Sequence, residues 1–592
     1  MFLLLVGLDV GGTFTDAVVV DKGRILKSHK CRTTKPNLME GIEAALAGVA
    51  TAIEPTKVTR VTLSTTIVTN ALVMNQVDPV DLYVIPGPGM DIRPLLPVTP
   101  IVLNGYTDHR GSLAAPLRQR ELDQIPGEKQ ITRAAVSAKF SVRNPKLEQA
   151  LKEELLAAGY ETVSAGAELS GSLNFPRRTV SAYFNSAVQG TFEDFSEAVK
   201  AALARYGLTA PIYILKADGG SLPLERMKAS PVETAFTGPA ASVLGMAALR
   251  SMPKDMTVAL DMGGTTTDIS LWENGVPMMA RGGAMIRNYP SAVRSFAVSS
   301  VGIGGESAVA FDENGKLTVG PDRLGPSLVL GGTVPTLGDA LIVLGKANYG
   351  DTHMAWQGLA NLLQKAPHGY VAGTDKDVAD TDNTAIAADD ADAGIAAGNA
   401  AEGIAKDAVI AFAKDIVAAA VTVITDGIAA SVQRENKLPI YVVRDIVEPK
   451  IFKPEKLVAV GGTAVTLAPF VSERLALPVQ IPQNAPVANA VGAAVARETL
   501  MLTVHVDTAK GILVVPELGI HEKQRSVQTA AQAESLALDY LQKAAGDLGL
   551  TNAPSGHIIS VEDVPIIEGW QSMHRLITVK AQLEPGVSEY VQ

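Results

Sequence analysis

Residues 6–20 read VGLDVGGTFTDAVVV, and residues 258–272 read VALDMGGTTTDISLW. Asp9 and Asp261 each begin the string D-x-G-G-T-x-T-D, entered from one apolar run and left by another. Such a run, a Gly-Gly turn and a second run predict a strand, a tight turn and a returning strand. One such hairpin is also an ordinary glycine turn; two copies sharing the same pattern point to a repeated unit.

The glycines Gly11, Gly12, Gly263 and Gly264 let backbone N–H groups come close to a ligand. Thr13, Thr15, Thr265 and Thr267 add short hydroxyl donors, a combination that suits phosphate oxygens. The aspartates repel phosphate unless a cation lies between, so Asp9 and Asp261 predict a divalent metal, Mg²⁺ holding its waters. Asp16 and Asp268, which close the two strings, are expected to brace the turns or to receive a proton.

The chain has 592 residues, long enough for about three to four domains. A net charge of −11 and the lack of any basic stripe argue against nucleic acid as a partner. The single cysteine, Cys31, excludes an internal disulfide and fits a reducing, cytoplasmic setting. MFLLLVGL at the start lacks a basic flank and reads as a buried strand; Ile416 to Thr425 is too short to span a bilayer, so no membrane association is expected.

Outward from the first turn, the expected first lobe covers 1–75 and 131–210, interrupted by a loop-rich insertion over 76–130 where Pro and Gly are dense. In VTLSTTIVTNALV, residues 61–73, a strand ends in hydroxyls before a helix carrying Asn70. Thr65, Thr66 and Asn70 there are candidates for a polar substrate group. A second lobe is expected over 211–500. It opens with a strand ending at Asp218-Gly219-Gly220, followed by a small-residue helix over 237–248 and the second turn. Asp375 to Asp392 crowd a solvated loop inside a helical insertion over about 350–435. A last Gly461-Gly462-Thr463 turn then precedes a helix. The glycines at 302, 304 and 305 fit no dinucleotide spacing, and no P-loop string occurs. Residues 501–592 read as a separate α+β module.

With both Asp-Gly-Gly-Thr turns, the helix over 237–248 and the late Gly-Gly turn on the page, the chain resembles the actin/Hsp70/sugar-kinase ATPase superfamily. More narrowly it resembles the A-subunit (HyuA) branch of the hydantoinase/oxoprolinase family. VGLDVGGTFTDAVVVD, STTIVTNAL at 64–72, YTDHRGSLAAPL at 106–117, ADGGSLPLERMKASPVETAFTGPAASVLGMAAL from Ala217, LDMGGTTTDISL and GTVPTLGDALIVLG carry the likeness. It departs at Leu63-Ser64, where the family has His-Gly, and at Ala217-Asp218, where it has Ser-Asn.

The resemblance implies an α/β fold of two ribonuclease-H-like lobes of the actin/Hsp70 ATPase type with a nucleotide cleft between them. It implies ATP and Mg²⁺ as cofactors, with Gly461, Gly462 and Thr463 beside the adenosine. It further implies a cyclic amide substrate such as a hydantoin or 5-oxoproline, phosphorylated on oxygen and opened by water, and a B-type partner subunit in an oligomer. Asp218 joins the substrate candidates. An ATPase switch or reactivase acting on a partner protein, an ATP-dependent carboxylase subunit and a small-molecule kinase stand as alternatives.

Overall fold

In the first hairpin, Leu4–Val10 pairs antiparallel with Phe14–Asp21, so that Asp9 faces Asp16 and Val10 faces Thr15. Both strands are buried nearly throughout, as their unbroken apolar, β-branched sequence requires of central strands. Arg24–Arg32 adds antiparallel on one side. Its side chains alternate between exposed and half-buried positions, as an edge strand's do. On the other side Val58–Thr65 lies parallel to the first strand and Ile212–Leu215 parallel to that, with Ser221–Pro223 at the margin. Three antiparallel strands followed by two parallel ones is the ribonuclease-H-like order. The helix Leu38–Val49 closes one face with Ile42, Ala45, Leu46 and Val49, all fully buried.

This computed structural model describes residues 4–33, 38–123, 125, 130–368, 370–373, 405–438, 451–550, 554–568 and 572–592. By contact the chain divides into two units, one of Met1–Ala248, Met279–Phe296 and Asn489–Gln592, the other of Leu249–Met278 and Ala297–Ala488.

This division differs from the expected boundaries, and residues 279–296 and 489–500, expected in the second lobe, also fall in the first unit. Residues 211–248 belong to the first unit, because Ile212–Leu215 completes its sheet. The stretch 76–130 is more than a loop-rich insertion. Asp81–Ile85, just ahead of Pro86, is an inner strand of a parallel sheet ordered Thr162–Ala165, Arg133–Ala138, Asp81–Ile85 and Ile101–Val102. Residues 501–592 do fold as α+β, a five-stranded antiparallel sheet covered by the helix Ala530–Asp547. They are not separate, however: Leu502, Val504, Leu513 and Val579 share one hydrophobic core with Val6, Leu8 and Ile42.

Small residues in the first unit mark close approaches. A Cβ on Gly492 would lie 2.1 Å from the Ala241 carbonyl oxygen, so the helix Thr237–Ala248 and the segment around Gly492 touch backbone to backbone.

The second unit repeats the hairpin. Thr257–Met262 pairs antiparallel with Thr267–Glu273, bringing Asp261 opposite Asp268. Lys456–Val460 lies parallel to the first of these and Val479–Gln480 parallel to that, while Val298–Val301 flanks the second. Thr352–Gln364 and Lys406–Asn436 are the helices expected over 350–435, and the aspartates from Asp375 to Asp392 lie outside the described residues. Lys406–Asn436, at 31 residues, is long and apolar enough to cross a membrane by length and composition, which the run Ile416–Thr425 alone does not convey. Its Phe412, Ile416, Ala420 and Ile424 are fully buried in the core of this unit.

Candidate functional site

The first turn is held from behind. Gly11 N–H donates to the Phe14 carbonyl at 3.0 Å, and a Cβ on Gly11 would sit 2.8 Å from that oxygen. Gly12, by contrast, has open space where a Cβ would be, so its backbone is accessible to a ligand. Thr13, half-buried at the tip, stays with the turn, and its carbonyl accepts from Thr33 N–H at 2.9 Å.

Thr15 corrects the expectation of a phosphate donor. It is fully buried, its hydroxyl is 3.0 Å from the Thr33 hydroxyl, and Thr33 in turn donates to the Gly11 carbonyl at 2.8 Å. One residue beyond the turn tip the strand has begun, and alternation points Thr15 into the sheet's packing rather than outward. Thr267 is corrected for the same reason, being fully buried and donating to the Ile303 carbonyl at 2.8 Å. Both are braces, and Thr13 and Thr265 remain as the hydroxyls at the turn tips.

The two carboxylate pairs differ in their surroundings. Asp9 and Asp16 face each other, and the next strand over places Lys30 opposite Asp16 with Nζ 2.6 Å from Oδ2. In the second unit the equivalent strand places Ser300 opposite Asp268. Burial first and the facing Asp261 charge second push the Asp268 carboxyl up to about 7, against the opposing Ser300 hydrogen bond. A facing carboxylate pair suits Mg²⁺ held through waters, so Asp261 and Asp268 fit that ion; among the described residues no group of three or more His, Cys, Asp or Glu forms a direct metal cluster.

Three glycine turns interlock in the second unit. Gly263 N–H donates to the Thr266 carbonyl at 2.9 Å, and the carbonyls of Gly263 and Gly264 accept from Gly305 and Glu306 N–H at 3.1 and 2.6 Å. A Cβ on Gly304 would come within 2.5 Å of Gly264 C and Thr265 N. Gly461, at φ +98°, lies so near Asp261 that a Cβ would be 2.5 Å from its Oδ1. Thr463 completes the contact by donating N–H and Oγ1 to the Met262 carbonyl, each at 3.0 Å. Gly462 has open space around its Cβ position. The late turn is therefore assembled with the second Gly-Gly turn. The role of Gly304 and Gly305 was not legible, because their signal is a close packing approach and not a motif spacing.

A cavity of about 280 Å³ in the first unit is walled by Gly11, Gly12, Thr65, Thr66 and Asn70, together with Gln76 and Thr191. Parallel pairing of the first and fourth strands, Val10 opposite Thr65, brings Thr65, Thr66 and Asn70 to the first turn. Asp218 goes elsewhere. It is buried, accepts from Gly220 N–H at 3.0 Å, lies 3.4 Å from Lys216 Nζ, and lines a different cavity of about 960 Å³ with Glu233 and Arg294. Gln76 and Thr191 carried no signal in the sequence, being single polar residues remote from every motif.

Residues 5–159 match the model of the hydantoinase/oxoprolinase N-terminal region and residues 178–501 that of hydantoinase/oxoprolinase. The chain belongs to the hydantoinase/oxoprolinase family. Among its relatives, the caprolactamase subunit alpha of Pseudomonas jessenii is 27% identical over 57% of this chain and 54% of that protein. The acetophenone carboxylase gamma subunit of Aromatoleum aromaticum is 26% identical over 58% and 53%. The chain thus spans about half the length of the curated relatives it matches. Of solved structures, the ATP-dependent caprolactamase from Pseudomonas jessenii superposes with a TM-score of 0.67 at 19% identity over 99% of this chain and 88% of that one. Nucleotide-free acetone carboxylase gives 0.66 at 17% over 98% and 88%. These matches establish the fold, α/β with two ribonuclease-H-like lobes.

Proposed function

We propose that this family member activates a cyclic amide at the expense of ATP, as one subunit of a hydrolase. The observation that carries the reading is the placement of a polar cavity directly against the accessible backbone of Gly11–Gly12, where a phosphoryl group and its acceptor have to meet. Relatives named as an alpha subunit of a caprolactamase and a gamma subunit of an acetophenone carboxylase support a partner chain, and the solved structure named ATP-dependent caprolactamase supports ATP use.

Bound Mg·ATP supplies a phosphoryl group that turns the amide oxygen into a leaving group. The chain's own residues do the rest. Each turn, taken by itself, would offer the same groups: Gly12 N–H, the Thr13 hydroxyl and Asp9 in the first unit, and Gly264 N–H, the Thr265 hydroxyl and Asp261 in the second, the N–H and hydroxyl toward phosphate oxygens and the carboxylate toward a metal's waters. Lys30 pairs with Asp16 as a brace, whereas Asp268, its carboxyl raised by burial and by the facing Asp261 charge, is placed to hold a proton.

Release of ADP by the purified protein, measured with and without a panel of lactams and hydantoins, tests this. Stimulation by a cyclic amide, lost in Asp9→Ala and Asp261→Ala, is expected. Turnover that responds only to a protein partner, or to a ketone with bicarbonate, would replace it with the switch or carboxylase reading.

A further inference from the structure

The cavity beside Gly11–Gly12 has a composition that narrows the substrate. Its polar walls are Thr33, Thr65, Thr66, Asn70, Gln76 and Thr191, and no charged side chain lines it among the described residues. Two of the hydroxyls already donate to the backbone, Thr33 Oγ1 to the Gly11 carbonyl at 2.8 Å and Thr66 Oγ1 to the Val10 carbonyl at 3.4 Å, whereas Thr65 Oγ1 accepts from Ile67 N–H at 3.2 Å and keeps its own O–H. Asn70 Nδ2 donates to Thr66 Oγ1 at 3.3 Å, which turns Asn70 Oδ1 outward as an acceptor. The groups on offer to a ligand are therefore the carbonyl of Asn70, the complete amide of Gln76 and the hydroxyls of Thr65 and Thr191.

That set matches one edge of a ring amide. A lactam holds its N–H and C=O side by side in the cis arrangement, and a primary amide presents a donor and an acceptor at the same spacing. At about 280 Å³ the cavity is at the small end for a ligand site and holds a small ring with little room for substituents. A carboxylate brought into it would lose hydration and meet no cationic side chain among the described lining residues. The charged groups such an anion needs, Lys216 and Arg294, line the other cavity instead.

We propose, resting on the reading above, that this cavity is the acceptor pocket and that it selects an uncharged cyclic amide over one bearing a carboxylate, with Asn70 and Gln76 reading the ring amide. The matched probes are 2-pyrrolidinone and 5-oxoproline, the same ring without and with a carboxylate. ADP release by the wild-type protein should favour 2-pyrrolidinone in kcat/KM by at least about tenfold. Gln76 is exposed at the rim, so Gln76→Lys introduces a cation without disturbing the core, and it should narrow that preference from the 5-oxoproline side. Asn70→Leu should raise KM for 2-pyrrolidinone by about tenfold, the loss of one good hydrogen bond from a desolvated site, while the Kd for ATP stays unchanged.

Equal or better use of 5-oxoproline by the wild type would overturn the selection of an uncharged ring and leave the cyclic-amide reading standing. A preference for 2-pyrrolidinone with unaltered KM in Asn70→Leu would overturn the assignment of the pocket. No response to either ring or to hydantoin would refute the cyclic-amide reading itself, and this inference with it.

Discussion

His505 ties the C-terminal sheet to the rest of the first unit, and the tie is sensitive to pH. It is buried, with Nε2 2.8 Å from the Gly171 carbonyl and Nδ1 3.1 Å from the Thr578 hydroxyl. A carbonyl only accepts, so Nε2 carries the proton and Nδ1 accepts from Thr578 in the neutral ring. Burial, opposed by the Gly171 hydrogen bond and assisted by the Arg143, Arg178 and Lys580 charges, lowers the imidazole from 6.5 to about 4. The unfolded chain therefore binds this proton first as pH falls. The stability contributed is intact above about 6.5 and disappears between there and 4. Linkage puts the loss at about 2 kcal/mol by pH 5 and about 3 kcal/mol by pH 4.

His505→Gln keeps a donor for Gly171 and removes the titration. Urea unfolding of both proteins at pH 7 and pH 5 isolates the effect, because every other titrating group is common to the two. The wild type should lose about 2 kcal/mol more than the variant on going to pH 5. Parallel pH profiles would show that His505 is not held neutral, and that its hydrogen bonds do not fix it in the core.

The glycine turns of the second unit make a paired prediction. Gly304→Ala forces backbone apart and should cost about 1–3 kcal/mol, whereas Gly462→Ala meets open space and should leave the melting temperature nearly unchanged; equal melting temperatures for the two would discredit the interlocking of the turns. Gly12→Ala likewise adds a methyl group to open space, so it should preserve thermal stability while weakening ATP binding measured by calorimetry, and undiminished affinity would remove Gly12 from the phosphate site. Deleting residues 501–592 strips Leu502, Val504, Leu513 and Val579 from the first unit's core, so the shortened chain should lose the first unit's share of the melting enthalpy while the second unit keeps its own core; a fragment that melts with all the transitions of the full chain would restore the separate module.

Much of this protein is written locally. The two D-x-G-G-T-x-T-D strings determine two hairpins, because apolar β-branched runs and a glycine pair leave few other backbone paths. Repetition of the string determines that the fold has two related halves. That Thr65, Thr66 and Asn70 lie beside the first turn was legible, since a strand ending in hydroxyls before a helix delivers them to the same sheet end.

What the sequence could not settle depends on which neighbour a strand acquires. Thr13 and Thr15 look alike in the string, yet Thr33 arrives from a third strand and consumes the Thr15 hydroxyl. Asp16 and Asp268 are the same residue in the same motif, but Lys30 stands beside one and Ser300 beside the other, so one has a cationic partner and the other is pushed toward neutrality by burial and the facing Asp261. The uncharged lining of the first cavity is likewise assembled from residues as distant in the chain as Thr33, Gln76 and Thr191. Local sequence determined the turns through backbone sterics; only tertiary structure decided their chemistry, because hydrogen-bond partners and charge compensation come from residues brought near by folding.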